Sequence, residues 1–232
     1  MLKVAIAGAR GKMGTEAVHT MMKKDNVELV AALDYKELGN TLAELPNFPT
    51  DYKIPIYTNI ITLIEETKPD VLIDLTNPHS VYEHTKIALQ HNVRPVVGTT
   101  GFTDEQLSEL QELSKNSGTG CIIAPNFAIG AILMMKFAKE AAKYLPDVEI
   151  IEMHHEQKLD APSGTGIKTA QMIAETREQK IQGHPQEKET HVGARGADFE
   201  GMRIHSVRLP GLVAHQQVLF GGEGQLLTIR HD

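Results

Sequence analysis

Five short apolar runs recur between Leu2 and about Pro125: Leu2–Ala7, Val27–Leu33, Val71–Thr76, Arg94–Val97 and Cys121–Ala124. Each ends in a Gly, Thr or Asn-Pro turn that leads into a helix-like segment. A strand with one face in water alternates polar and apolar residues, whereas these runs are almost unbroken, the character of parallel strands covered on both faces. Parallel neighbours need a crossover, normally a helix, so the rhythm is that of βα units and the expected fold class is α/β, a Rossmann-like doubly wound parallel sheet over residues 1–126. The helix after Thr103 carries its own start signal, because Thr103 and Gln106 have the spacing of a capping box. Asn77-Pro78 stops the third run, and Val81, Ile87, Ala88 and Leu89 continue at helical spacing.

After about Asn126 the texture changes. A helix-like segment covers Ala128–Tyr144, an alternating strand covers Val148–Met153, and a second helix follows Pro162. A polar, Gly-rich stretch then runs from Thr176 to Gly201. Arg203–Leu209, Gln216–Phe220 and Gln225–Arg230 read as strands, the last two joined through Gly221-Gly222-Glu223-Gly224. This predicts a second, α+β domain over residues 127–228 with an antiparallel or mixed sheet.

Charge and cysteine content narrow the function classes. The balance of 23 Lys+Arg against 30 Asp+Glu gives −7, so no electrostatic footprint for nucleic acid or an anionic membrane is present. One cysteine, Cys121, closes no intrachain disulfide and sits in an apolar run, where inert packing is expected. The start MLKVAIAG lacks signal-peptide features, and no run reaches the roughly 20 apolar residues of a membrane span. A cytoplasmic protein is expected, with neither nucleic acid nor membrane as partner.

Two regions carry chemistry. The first run ends in Gly8-Ala9-Arg10-Gly11-Lys12-Met13-Gly14 and enters a helix, while Asp34 closes the second run. Glycines let the backbone approach a pyrophosphate, the helix start offers free amides, and the carboxylate can hold ribose hydroxyls. Arg10 stands where the middle glycine is usual, so the turn points to a dinucleotide only together with its strand, helix and Asp34. Gly98-Thr99-Thr100-Gly101 and Ala124-Pro125-Asn126-Phe127 follow later runs, at the strand ends where ligands of open parallel sheets bind. The second region is the cluster Glu152–Gly166, which holds His154, His155, Lys158 and a helix start at Pro162. The Ser163, Gly164 and Thr165 amides and hydroxyls would form a receptor for a small carboxylate at the positive end of that helix, with Lys158 as second charge.

Competing uses of these residues are weaker. A zinc-protease helix needs His-Glu-x-x-His, and Leu159 stands where the second histidine would be, so no metal is expected. The remaining histidines, His84, His205 and His215 among them, lack partner spacing and read mostly as surface residues. A nucleotide sensor without turnover, or another reductase of small dicarboxylates, stays open on the residues alone; a sensor has no need of two histidines and a lysine beside a carboxylate receptor.

His154-His155-x-x-Lys158-x-Asp160-Ala161-Pro162-Ser163-Gly164-Thr165 resembles the signature of the 4-hydroxy-tetrahydrodipicolinate reductase (dihydrodipicolinate reductase) family. Val4–Gly14, Gly98–Gly101, Ala124–Gly130 and Ile229–Asp232 support the match. The resemblance implies NADH and/or NADPH as cofactor and a small dicarboxylate as substrate, in lysine and diaminopimelate biosynthesis. The reaction it implies is hydride transfer from C4 of the nicotinamide to the substrate ring once the substrate's hydroxyl has left as water, followed by protonation of the resulting enamine carbon. It further implies that Gly8, Gly11, Lys12, Met13 and Asp34 contact the dinucleotide and that Gly98, Thr99, Thr100, Ala124 and Phe127 frame the nicotinamide and its ribose. His155, Lys158, Ser163, Gly164 and Thr165 would bind the substrate carboxylates, with His154 and Lys158 as the proton-handling pair. A homotetramer built on the second domain's sheet is implied as well. Family members continue past Ile229–Asp232 into a final helix that returns to the cofactor domain; residues 229–232 are expected to begin that return, and a chain ending at Asp232 is expected to be a shortened form.

Overall fold

The strand β1 (Leu2–Ala7) is the pivot of the first sheet in the computed structural model, which describes residues 1–36, 39–124 and 126–232. The chain continues through α1 (Lys12–Met21), β2 (Val27–Leu33), β3 (Ile56–Tyr57), α2 (Ile60–Thr67), β4 (Val71–Asp74), α3 (Val81–Gln90), β5 (Arg94–Val97), α4 (Asp104–Ser117) and β6 (Ile122–Ile123). All pairings are parallel, in the order β3-β2-β1-β4-β5-β6. The expected doubly wound sheet is therefore present. Alternate residues of β1 feed opposite cores: Val4 and Ile6 join Val18 of α1, while Ala5 and Ala7 join Leu63 of α2 and Ala88 of α3. The strand order reverses between β1 and β4, and loops diverging there open a crevice at the carboxyl ends.

Several boundaries move for local reasons. The run Val71–Thr76 leaves the ladder at Asp74, because the Thr76 amide and hydroxyl both donate to the Asp74 carboxylate. β3 has only two residues and shows no periodicity to read. The capping box is formed, with Thr103 Oγ1 accepting from the Gln106 amide at 3.2 Å and Gln106 Oε1 accepting from the Thr103 amide at 3.0 Å. Pro125, which the sequence places in the loop after the fifth run, lies outside the described residues.

The second unit runs from Asn126 to Asp232 and contains α5 (Ile129–Ala141), β7 (Asp147–His154), α6 (Gly164–Ala174), β8 (Ala197–Phe199), β9 (Met202–Arg208), β10 (Ala214–Gly222) and β11 (Gln225–His231). Its sheet is ordered β11-β10-β7-β9-β8, with β7 and β9 parallel and the other pairs antiparallel. Val148, Ile150, Ile204, Val218 and Phe220 pack against Ala138 of α5 and Ala170 and Ile173 of α6. The expectation that residues 229–232 return to the first domain is corrected here: Ile229 pairs with Val218 and His231 with Gln216, so the segment completes the hairpin edge of the second sheet.

Burial raises the Cys121 thiol to about 11, leaving roughly one thiolate in 10³ at pH 8. Native protein is thus expected to react with a thiol reagent far more slowly than protein unfolded in guanidinium, as timed absorbance labelling would show; equal rates would contradict the packing role. Among the described residues no helix is long and apolar enough to cross a membrane.

Candidate active site

A cavity of about 360 Å³ opens at the switch point of the first sheet, lined by Gly8, Arg10, Gly11, Asp34, Tyr35 and Thr76 among others. Gly8 has φ +81°, and a Cβ there would lie 2.6 Å from the Leu75 carbonyl oxygen, so only glycine brings the turn this close to the next strand. The N-cap of α1 is Gly11, without a side-chain cap bond, which leaves helix-start amides available to a pyrophosphate. These features fit a dinucleotide. Lys12 and Met13 occupy the exposed first turn of α1, outside the lining of this cavity.

Arg10 does more than displace a glycine. Its Nη2 donates to Asp34 Oδ1 at 2.5 Å, and its guanidinium carbon lies 5.3 Å from the Tyr35 ring centre, with the Lys36 ammonium 5.4 Å from the same ring. The hydrogen bond to Asp34 raises the Arg10 pKa. The carboxylate expected to meet a ribose is therefore already paired with a cation that also lies over the Tyr35 ring. Sequence spacing misses this pair because nothing in the glycine pattern states how far a long side chain at its middle position reaches.

Asp74 is a second centre that sequence reasoning missed. Fully buried at the end of β4, it accepts from the Thr76 amide at 3.0 Å, the Thr76 hydroxyl at 2.6 Å and Thr99 Oγ1 at 3.4 Å, and it pairs with His84 Nδ1 at 2.8 Å. It thereby ties the Gly98–Thr100 loop to the loop after β4. His84 is thus a partnered residue, as are His205 on Glu149 and His215 on Asp232, against the surface reading of all three. The Ala124 amide donates to the Val97 carbonyl at 2.8 Å, and Phe127, half exposed, falls in the second unit.

In the second unit β7 delivers His154 at its end, and the loop beyond it delivers Lys158 before α6 begins. Ser163 is the N-cap of α6: its Oγ accepts from the Gly166 amide at 3.1 Å and its own amide donates to Glu152 Oε1 at 3.1 Å. Buried in this way, Ser163 secures the helix start, and the exposed Gly164 and half-buried Thr165 form the first turn, whose amides have no partner within the helix. Lys158 Nζ donates to Asp160 Oδ1 at 2.6 Å, and that bond holds the Asp160 carboxyl below its usual range. His155 is exposed, its carbonyl accepting from the Lys158 amide at 3.2 Å. A cavity of about 370 Å³ is lined by His154, Thr165, His215, Gln216 and His231 among others.

His154 Nδ1 lies 2.6 Å from Glu152 Oε2. A carboxylate partner requires the imidazole to donate from Nδ1, which leaves Nε2 as a free acceptor. Burial lowers the His154 pKa, Glu152 opposes this, and Lys158 and Arg208 lower it further; the balance is below the ordinary value, so the ring is neutral at pH 7. Burial pushes Glu152 upward, yet hydrogen bonds from Arg208, Ser206 and His154 outweigh it and keep the carboxyl ionised. Arg208 escaped the sequence reading entirely. It reaches the site only because β7 and β9 pair in parallel with His154 opposite Arg208.

Residues 2–127 match the family Dihydrodipicolinate reductase, N-terminus, and residues 130–232 match Dihydrodipicolinate reductase, C-terminus. A 4-hydroxy-tetrahydrodipicolinate reductase of Lysinibacillus sphaericus is 76% identical over 231 residues, covering 100% of this chain and 87% of that relative. One from Oceanobacillus iheyensis is 63% identical with the same coverage. A dipicolinate-bound dihydrodipicolinate reductase from a Paenisporosarcina species superposes with a TM-score of 0.84 at 66% identity, over 100% of this chain and 88% of that one. An amine dehydrogenase from Mycobacterium smegmatis, 15% identical with a TM-score of 0.71 over 99% of this chain and 86% of its own, shares the fold alone. Both halves and the full length of the sequence agree: this chain belongs to the dihydrodipicolinate reductase family.

Proposed function

We propose that the second unit binds the substrate's two carboxylates and supplies the proton in the family's reaction, with Lys158 as general acid and carboxylate partner and His154 helping to position or relay the proton. The reaction is reduction of 4-hydroxy-tetrahydrodipicolinate to tetrahydrodipicolinate by NAD(P)H, a step of lysine and diaminopimelate biosynthesis. The observation that carries the reading is the convergence, on one end of β7 and the start of α6, of a lysine, a neutral imidazole and a helix start. NAD(P)H, when bound, supplies the hydride. The chain's own residues orient it through Gly8, Gly11, Lys12, Met13 and Asp34, with Gly98, Thr99, Thr100, Ala124 and Phe127 assigned to the nicotinamide end. Gly164, Thr165, His155 and Lys158 hold the dianion, and Ser163 fixes the helix start that carries the Gly164 and Thr165 amides. A dicarboxylate suits this receptor because each anionic end meets either a cation or the positive end of a helix. Loss of absorbance at the NADH band on addition of the pathway substrate tests the reading; no turnover, with cofactor bound, rejects it.

His155→Ala removes a carboxylate contact and leaves the proton donor in place. The expected result is a KM about tenfold higher with kcat within about twofold. A large kcat loss with unchanged KM would move His155 into the chemistry.

Cofactor choice follows from the Arg10–Asp34 pair. Asp34 accepts from the ribose hydroxyls of NADH and repels a 2′-phosphate, while Arg10 and Lys36 soften that repulsion. NADH is expected to serve at least as well as NADPH, and Asp34→Ala should move the kcat/KM ratio toward NADPH by about tenfold. A strong NADPH preference in the unaltered enzyme, with no shift in the variant, would contradict the assignment.

The assembly we propose is a homotetramer built on the second sheet. Helices α5 and α6 cover one face of that sheet; the other carries Ile151, Met153, Val207 and Leu219, all partly exposed, among polar neighbours. A sheet with one uncovered face is commonly buried by a second copy. Light scattering at micromolar concentration should give about four times the 25.5 kDa chain mass, and a particle of one chain mass would exclude this assembly.

A further inference from the structure

We infer that Glu152 is a positioning residue for the reaction: its carboxylate locks the His154 imidazole in one tautomer and registers it against the start of α6. The inference rests on the role proposed above for His154 and adds the group that enforces it. Glu152 lies on the helix-covered phase of β7, in line with Val148 and Ile150, and is 0% exposed. A carboxylate on that face is costly unless every lone pair is met, and a buried ion pair seldom outperforms an apolar pair of the same size. Stability alone therefore gives no reason for a carboxylate there.

Its hydrogen bonds give one. Oε2 accepts from His154 Nδ1 at 2.6 Å and from Arg208 Nη1 at 3.0 Å, while Oε1 accepts from the Ser163 amide at 3.1 Å and from Arg208 Nη2 at 2.8 Å. Arg208 Nη2 also donates to the Asp160 carbonyl at 2.7 Å. One carboxylate thus joins the imidazole, the amide of the helix cap and, through Arg208, the loop that carries Lys158. With Nδ1 held as donor, Nε2 is the nitrogen left to face the cavity that His154 lines. A misplaced tautomer would put a proton on that nitrogen and remove its ability to accept one.

The test is a double-mutant cycle with pH profiles. Glu152→Gln presents an amide NH₂ to Nδ1 and forces the other tautomer; kcat is expected to fall by about 10², with NADH affinity by fluorescence unchanged. In a His154→Ala background the same change should cost no more than about threefold, because the group it acts through is gone. Groups facing His154 are Glu152 on β7, Lys158 and Asp160 on the loop, Arg208 on β9, His215 on β10, and His231 and Asp232 at the chain end. Of these only Glu152 changes. Loss of its charge disfavours imidazolium, so the acid limb of kcat/KM moves to lower pH in Glu152→Gln and stays in place in Glu152→Asp, which also recovers part of kcat. If Glu152→Gln does not fold, Glu152→Asp with and without His154→Ala reads the same coupling. Losses that multiply in the double variant, or an unmoved acid limb, would overturn the inference while leaving the role of His154 intact. Wild-type kcat in His154→Ala would overturn that role and this inference together.

Discussion

Replacing Lys158 by alanine should lower kcat by about 10² to 10⁴, the usual range for loss of a positioned proton donor, while NADH affinity stays within about twofold. Lys158 is held before α6 by a 2.6 Å bond to Asp160, so its ammonium is in place before substrate arrives. A substrate carboxylate entering at the helix start would compete with Asp160 for the same ammonium, bringing the donor to the ring. His154 is the weaker candidate for donor, since burial and its cationic neighbours keep it neutral at pH 7. Lys158→Arg separates the two duties of the residue. Arginine keeps the charge and binds carboxylates well but does not release a proton near neutral pH. KM should therefore return toward that of the unaltered enzyme in Lys158→Arg, and kcat should not. Near-normal kcat in both Lys158→Ala and His154→Ala, with cofactor bound, would mean that water or another residue supplies the proton.

The parts of the molecule that were legible in the sequence are those built from local pattern. β1, β2 and β5 appear as apolar runs with the same ends as the strands, and the Thr103–Gln106 box marks α4 because both partners lie within one turn. The loop proposed to carry the chemistry is legible for the same reason, since His154, Lys158 and the α6 start follow one another along the chain. What escaped depends on register or reach. Arg208 meets Glu152 only through the β7–β9 ladder, which no spacing rule predicts across a polar stretch of unpredictable length. The Asp74–His84 pair needs a helix to fold back over the end of β4. Glu152 did leave a trace: it breaks the apolar phase set by Val148 and Ile150. A charge on the buried phase of a strand signals a partner somewhere in the core, although it does not say which.

Gly14→Ala should destabilise the first unit by about 3 kcal/mol, the upper part of the range for overpacking, and abolish measurable NADH binding at ordinary concentrations. A Cβ built on Gly14 falls 2.0 Å from the Gly8 carbonyl oxygen, 2.7 Å from its carbon and 2.8 Å from Ala9 Cα. All three are backbone atoms, so no side chain can swing aside. Relief requires α1 to move away from β1, which would pull Val18 of α1 out of its packing with Val4, Ile6 and Ala9, all essentially fully buried on that side of the sheet. The same movement withdraws the Gly11 helix start from the turn at Gly8, which is the geometry a pyrophosphate needs. Gly120 is the matched control. A Cβ there meets nothing within 4 Å, and its φ is not in the left-handed region, so Gly120→Ala should stay within about 0.5 kcal/mol of the unaltered protein. Thermal unfolding reads the difference as a fall of about 6 to 12 °C for Gly14→Ala, at 2 to 4 °C per kcal/mol in chains of this size. A melting temperature and an NADH titration both unchanged in Gly14→Ala would show that α1 has room to retreat, and that the third glycine of the turn is not what holds the helix against the strand.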